Sequence, residues 1–578
     1  MNKTTIPNWV QKRYLALAEK FKSSPFNFEK AVNVLRERFE DSEAQTKVVL
    51  SELKNAGYLK TKKDPQDARK KIYTLIPIRE KKKEGKMTRK ELDTILKKAA
   101  DLIRTRVDYT FILLLLFYKR MCDKWKKDFQ ETYDQLLREG FLKEEALKEA
   151  QTPVYHDLDI PEKFLWENLR KDPLKISENF SQAMKELAER NPTLKDIFTQ
   201  FDFVDFTRSP ENTEILRQLI ELFSAYSFEN VSPDILGDAY EWILKYFAPQ
   251  KAKEGEVYTP REVIRLMIEI LDPKSGKWLY DPCHGSGGML IIGYKYVEEN
   301  FSKKEADTLF LFGQEVNSKT LALSKMNLLI HDIKNAVLEQ GDTLLFPKFK
   351  VERGIKKFDY VIANPPWNQK GYGEEILKKG EFWQERFTFG FPTKQSADWA
   401  WIQHMLASAK EKVAVVIDTG AVSRGGREKG IRQKILEKDL IETIILLPEK
   451  LFYNTGAPGL IMVFNKQKPE KRKNKILLIN ATKEFVSGKP QNTLGKENIK
   501  KIVEVYRGFK EIERLSKIIT LKEAAEADYN LSPSRFVSVI EEEKHRPIGE
   551  IVRELRNIEN KRAKVEQEVS KILSKIKI

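Results

Sequence analysis

From about residue 246 the chain alternates short apolar runs with stretches of helical spacing, and that alternation leaves few folds open. The candidate strands are Lys277–Tyr280, Leu309–Gly313, Ala336–Gln340, Tyr360–Ala363, Val413–Asp418, Thr443–Leu447, Leu460–Phe464 and Ile476–Ile479. Strands that are apolar along their whole length need cover on both faces, and helices between them supply it, so the pattern specifies a doubly wound α/β sheet. The last two runs flank the basic turn Lys466–Lys475, where a hairpin is expected. One strand has an unusually hard stop: Phe358-Asp359-Tyr360-Val361-Ile362-Ala363 runs straight into Asn364-Pro365-Pro366-Trp367. Two prolines cannot continue a ladder or a helix, so Asn364 must stand in a rigid turn at the carboxyl end of a strand. Open α/β sheets bind ligands at that end.

At 578 residues the chain is too long for one compact core. Residues 1–80 read as a small α/β unit: Ser42 caps a helix through Val48, Val49 and Leu53, then Tyr58–Lys63 and Lys70–Ile76 read as strands around Asp64-Pro65-Gln66-Asp67. Helix, strand, basic turn, strand is a layout that resembles a winged helix. From Lys60 to Lys90 there are 13 basic and 4 acidic residues, against 103 Lys plus Arg and 86 Asp plus Glu overall. More than half of the net +17 thus sits on this wing and the linker after it, which points to DNA contact, with a solvated linker beside a protein-docking module as the plainer reading. Residues 87–245 read as a helical domain, with the run Phe111–Phe117 inside a buried helix and aromatics from Phe201 to Tyr240 used for packing. The catalytic α/β domain spans 246–490, and a charged helical region follows over 491–547. In the last segment, 548–578, Ile551, Ile558, Val565 and Ile572 recur every seven residues beside Ile548, Leu555, Arg562, Val569 and Ile576, a heptad seam that calls for a partner helix, with an amphipathic helix folded back on its own domain as the alternative.

Several classes are excluded by composition. Cys122 and Cys283 cannot form a disulfide framework, which fits a reducing cytoplasm. The longest apolar run is seven residues, too short for a bilayer, and no signal-peptide pattern opens the chain, so no membrane partner is expected. The five histidines show no metal-ligand spacing, so no metal is expected. No GxxxxGK[ST] sequence occurs, which disfavours a phosphate-loop motor.

The chemistry is carried by an ordered set of motifs. Asn364 offers a side-chain carbonyl and Pro365 a backbone carbonyl, together able to accept both hydrogens of an exocyclic amine. The aromatic Trp367 can stack on the heterocycle that carries it. Asp281-Pro282-Cys283-His284-Gly285-Ser286-Gly287-Gly288 follows one strand and opens a helix, with glycines that let a ligand approach the backbone. Glu315 follows the next strand, where a carboxylate suits ribose hydroxyls, and Gly341-Asp342 follows the third. Upstream lies Gly255-Glu256-Val257-Tyr258-Thr259-Pro260, with Thr259 as the expected N-cap and Pro260 at the first helical position. The loop Asn368–Ala397, with four glycines among Trp383, Phe387, Phe389 and Phe391, reads as a mobile lid that orders around an extruded base, with a hydrophobic loop packed permanently on the sheet as the alternative.

This set resembles the gamma arrangement of adenine-N6 DNA methyltransferases, and more specifically the modification subunit of type I restriction–modification systems. Gly237–Trp242, Ala397–Ile402, Leu447–Phe452 and the helical stretch from Lys90 add to the likeness. The resemblance implies a Rossmann-like core using S-adenosyl-L-methionine. Tyr258, Thr259 and Pro260 would line its methionine end, and Asp281, Gly285, Ser286 and Gly287 would form the loop beneath it. Glu315 would hold its ribose, and Asp342 would lie near its adenine. Asn364, Pro365 and Pro366 would present the acceptors for the target amine, with Trp367 on the flipped base. Trp departs from the family's usual Phe or Tyr, and the winged-helix-like start is not a standard part of the family. Implied partners are double-stranded DNA, a specificity subunit, a second copy of the modification subunit and, where the system carries one, a restriction subunit. The same acceptor chemistry also serves enzymes that methylate RNA or glutamine side chains, and a non-catalytic DNA-binding scaffold is the third reading. Only 481–547 remain for base reading once the sheet and the heptad tail are counted, too little for a recognition domain, so specificity is expected from another chain.

Overall fold

In a computed structural model of the chain, all residues are described except 1–7, 22–23, 57, 64–66, 68–69, 76–87, 104–107, 173–174, 201, 253–258, 453–454, 490, 539–547 and 577–578. Two compact units emerge, residues 1–86 with 224–227, and 87–223 with 228–578.

In the first unit, α1 (Asn8–Phe21), β1 (Phe26–Asn27), α2 (Phe28–Phe39), α3 (Glu43–Asn55), β2 (Leu59–Lys63) and β3 (Lys71–Leu75) follow in order. The strands form one antiparallel sheet in the order β1-β3-β2. The Ser42 side chain accepts from the Gln45 N–H, and the Gln45 side chain accepts from the Ser42 N–H, a reciprocal capping box that fixes the start of α3. Val10, Leu17, Leu35, Val49, Leu53 and Leu59 make its core. Most of the expected Asp64–Asp67 turn lies outside the described residues.

In the second unit, helices run from Arg89–Ile103 through Pro233–Ala252, so the last of them passes beyond the expected boundary at 245. Thr110–Arg138 is the longest, and Ile112–Phe117 is fully buried within it. Phe111 stacks on Phe206 at 4.3 Å, and Phe203, Phe223, Phe228 and Tyr240 are buried, so the aromatics serve packing; Phe201 lies outside the described residues.

The sheet that follows has nine strands. They are β4 (Trp278–Asp281), β5 (Phe310–Glu315), β6 (Ala336–Gln340), β9 (Phe358–Ala363), β10 (Ala409–Asp418), β11 (Ile441–Leu446), β12 (Gly459–Asn465), β13 (Lys475–Asn480) and β14 (Ser516–Thr520); a separate two-residue pair, β7 (Lys350–Val351) and β8 (Gly354–Ile355), precedes β9. The order is β14-β13-β11-β12-β10-β9-β4-β5-β6. From β6 to β10 all pairs are parallel. Alternate residues of each strand face opposite cores: Leu279, Ile362, Val416 and Ile461 on one side, Tyr280, Val361, Val415 and Met462 on the other. The helix Arg261–Leu271 alone buries Val263, Ile264, Leu266, Met267, Ile268, Ile270 and Leu271, at roughly 2 kcal/mol for each large side chain removed from water.

Two expectations are corrected here. The last two predicted strands, β12 and β13, do not form a hairpin: β11 lies between them, antiparallel to β12 and parallel to β13. The basic turn links strands that are not neighbours, and the antiparallel partner of β12 precedes it instead. The region 491–547 is also not purely helical. β14 adds an antiparallel edge to β13, and the helix Lys496–Gly508 packs Ile499, Ile502 and Tyr506 into the same core, so the sheet does not end at 490. The final helix, Ile548–Lys575, has no buried residue; Ile551, Leu555, Ile558, Val565, Val569 and Ile572 are all exposed. No helix among the described residues is long and apolar enough to cross a membrane.

Candidate active site

The chain leaves β4 and builds outward to β6, then returns across the sheet to β9 on the other side of β4. The connections diverge between β4 and β9, which opens a crevice at their carboxyl ends. Asp281 ends β4 and Asn364 follows β9, so the two strongest motifs meet at this switch point. An open cleft lies there, lined by Thr259, Asp281, Cys283, Gly285, Ser286 and Asn364, together with Arg261, Ile264, His284, Gly288 and Met289. Pro260, Gly287, Pro365, Pro366 and Trp367 adjoin these in sequence without lining it, and Tyr258 lies outside the described residues.

The glycine loop is held from three directions. Gly285 and Gly287 have φ of 52° and 82°, left-handed values that a side chain would strain. The Gly285 N–H donates to Glu315 at 3.1 Å, the Gly287 N–H to the His284 carbonyl at 2.8 Å, and Asn327 Nδ2 to the Ser286 carbonyl at 3.0 Å. Asp281 is buried, and burial pushes its pKa up to about 8 despite the Cys283 N–H that it accepts at 3.0 Å. No salt bridge reaches it among the described residues. The ring of His284 is buried too, with its pKa pushed down to about 4. Burial raises the Cys283 thiol well above its ordinary value, so it is neutral and not a nucleophile.

Glu315 and Asp342 take the strand-end places expected of them and are already bonded. Glu315 also accepts from the Asn317 N–H at 2.9 Å. Asp342 accepts from the Leu344 and Leu345 N–H groups and, at 2.7 Å, from the Tyr372 hydroxyl.

Around Asn364 the structure adds what the motif did not reveal. Its Nδ2 donates to the Thr259 hydroxyl at 2.7 Å, and its Oδ1 accepts from the Trp367 indole N–H at 2.9 Å. An indole nitrogen can only donate, so the amide oxygen must face it, and the carboxamide is held at both ends. Its oxygen keeps a second lone pair for a ligand. The Pro365 carbonyl accepts no hydrogen bond among the described residues. Thr259 is therefore not a helix cap: the helix begins at Arg261 with Pro260 at the cap position, and the threonine hydroxyl serves Asn364. Trp367 also differs from the expected free stacking face. It meets Phe452 edge to face at 4.9 Å, and a Cβ added at Gly459 would come 2.5 Å from the Phe452 ring and 3.1 Å from the indole, so the glycine leaves room for this ring pair.

The segment after the motif is not an open lid. Leu377 and Phe387 join Leu344, Ala397 and Trp401 in a small core of their own. The buried Arg386 donates to the Thr343, Leu344 and Glu381 carbonyls and ties the segment to the turn after β6. Arg424, which the motifs did not single out, binds Asp398, Asp418 at 2.9 Å, Glu428 at 2.8 Å and the Asn368 side chain at 2.7 Å. Asp398 in turn accepts from the Asn368 N–H, so this buried network fixes the residue next to Trp367. Glycines and aromatics in a loop signal mobility only where the rings lack a core, and here they have one.

Residues 231–545 match the N-6 DNA Methylase family model, and 92–223 match the HsdM N-terminal domain. The chain belongs to the N-6 DNA methylases. It falls among the type I restriction enzyme methylase subunits: the MjaVII methylase subunit of Methanocaldococcus jannaschii is 42% identical over 577 residues, covering 98% of this chain and 97% of its own. The MjaVIII methylase subunit of the same organism is 40% identical over 567 residues, covering 95% and 94%. Among solved structures, the methyltransferase subunit of a type I restriction–modification system from Streptococcus thermophilus shares 27% identity with a TM-score of 0.68, covering 78% of this methylase and 99% of that chain. The first two matches run almost end to end, so the N-terminal unit of this methylase is shared by relatives and is not an isolated addition.

Proposed function

We propose that the chain transfers a methyl group from S-adenosyl-L-methionine to the N6 amino group of an adenine in double-stranded DNA, as the modification subunit of a type I restriction–modification complex in the cytoplasm. The observation that carries this reading is the juxtaposition at the switch point: the glycine loop and the doubly anchored Asn364 line one cleft. The residues fit the cofactor, because the buried Asp281 carboxyl, bonded to the Cys283 N–H and reached by no salt bridge among the described residues, suits an ammonium, and the loop admits close backbone approach. Asp281, Gly285, Ser286 and Gly287 would hold it with Thr259, Pro260 and Tyr258, Glu315 would take its ribose, and Asp342 would stand near its adenine. When bound it supplies a methyl group on a sulfonium sulfur.

The chain's own part is to prepare the amine. The exocyclic nitrogen of adenine is a poor nucleophile because its lone pair is delocalised into the ring. Asn364 Oδ1 and the Pro365 carbonyl accept its two hydrogens, which favours a pyramidal nitrogen with a localised pair, so no covalent enzyme intermediate is needed. Because Oδ1 is already oriented, this stabilisation needs little reorganisation as the transition state forms. Pro366 stiffens the turn, and Trp367 would stack on the flipped base from its slot beside Phe452. The exposed heptad face of Ile548–Lys575 and the lack of room for a base-reading domain support a specificity subunit and a second modification subunit as partners, with a restriction subunit where the system carries one.

The test is Asn364→Ala assayed with radiolabelled cofactor on duplex DNA carrying the site. Methyl transfer should be lost while calorimetric cofactor binding persists. Turnover near that of the parent would overturn the assignment.

A further inference from the structure

The β2–β3 ribbon of the N-terminal unit carries charge that its fold does not use. Residues 59–75 hold Lys60, Lys62, Lys63, Arg69, Lys70 and Lys71 against Asp64 and Asp67. Lys60, Lys62, Lys70 and Lys71 are exposed, and none has an ion pair among the described residues. The inward positions are ordinary by contrast: Leu59 pairs with Leu75, both buried, and Tyr73 packs on the core. By comparison α3 is balanced, with Glu43 and Glu52 against Lys47 and Lys54. The ribbon thus carries four more basic than acidic residues, with its exposed lysines offset by no ion pair among the described residues.

We propose that this ribbon is a second DNA-contact surface of the chain, which grips the phosphate backbone of the duplex without reading sequence. The charge is complementary to a polyanion. The outward face of the ribbon, Lys60, Lys62, Ile72 and Thr74, offers no aromatic anchor of the kind that dominates protein interfaces. Among polyanions, duplex DNA is chosen because the chain belongs to the N-6 DNA methylases. The choice needs nothing from the assignment of Asn364. A grip remote in sequence from the catalytic motifs would hold the duplex while a specificity subunit sets the position.

The experiment is fluorescence anisotropy of the full-length chain on a labelled duplex of roughly 30 base pairs, about three helical turns, at several salt concentrations. Replacing Lys60, Lys62, Lys70 and Lys71 together with Ala should make the negative slope of log affinity against log salt shallower by about 2 to 4, at roughly 0.9 for each phosphate no longer neutralised. Calorimetric cofactor binding and the thermal melting curve should stay as in the parent. A second variant, Lys60→Glu with Lys62→Glu, should weaken duplex binding further than the corresponding alanines. An unchanged slope overturns the proposal. So does an unchanged slope with impaired assembly with the specificity subunit, which would make the ribbon a protein dock. Asn364→Ala serves as the control: its failure to stop methyl transfer would sink the catalytic assignment and leave the salt slope as it is.

Discussion

The two hydrogen bonds on the Asn364 carboxamide permit a quantitative test of how the acceptor is held. Trp367→Phe keeps an aromatic face beside Phe452 but removes the N–H that faces Oδ1. Thr259→Val keeps the shape of the side chain but removes the oxygen that faces Nδ2. A neutral hydrogen bond is worth about 1 kcal/mol net, so each change should slow transfer about fivefold. If each bond alone restrains the amide, the pair together should cost more than the product of the two, about 25-fold, because the carboxamide is then free to turn. The double variant should approach Asn364→Ala, which loses an acceptor that strengthens in the transition state and falls by roughly a hundredfold or more. The assay is single-turnover transfer of labelled methyl to duplex DNA, with the specificity subunit present and the cofactor saturating. Saturation removes any effect of Thr259 on cofactor affinity. A Trp367→Phe rate at or above the parent would refute the reasoning, because the indole would then be holding the oxygen away from its substrate. Strict additivity would show that the two bonds act on separate groups.

Three further outcomes follow from the same geometry. Asn364→Ala should abolish transfer with cofactor affinity within about threefold of the parent, read by calorimetry, since the amide lies on the target side of the cleft. Asp281 is protonated below its pKa of about 8, and a cationic ligand needs it ionised, so cofactor binding at pH 7 should release close to one proton and at pH 9 almost none. Affinity should therefore fall as pH drops below 8; calorimetry in two buffers of different ionisation heat measures the proton, and Asp281→Asn should remove it. Deleting 548–578 should leave the melting curve and cofactor binding unchanged, because the helix buries nothing in the chain, while light scattering should show assembly with the specificity subunit lost.

The sequence alone determined the sheet-and-helix alternation, the motif order and the heptad repeat of the tail, because each is a local matter. Apolar runs must be buried, two prolines must end a strand at Ala363, and a seven-residue repeat stays on one side of a helix whatever surrounds it. The helix cap at Ser42 was legible for the same reason, while the reciprocal Gln45 bond was not read. Only the tertiary structure decided which strands are neighbours. β11 inserts between β12 and β13, and β14 completes the edge, through pairings that periodicity does not encode. The site divided along the same line. That Asn364 and the Asp281 loop would share a cleft could be read from strand ends. That Thr259 would bind Asn364 from 105 positions away, and that Gly459 would leave room for Phe452 against the Trp367 ring, could not, because such contacts depend on how distant backbones approach one another. The loop Asn368–Ala397 makes the same point. Its glycines and rings look like a lid in one dimension, and become a packed core once Arg386 and Arg424 bring their distant carbonyls and carboxylates together in three.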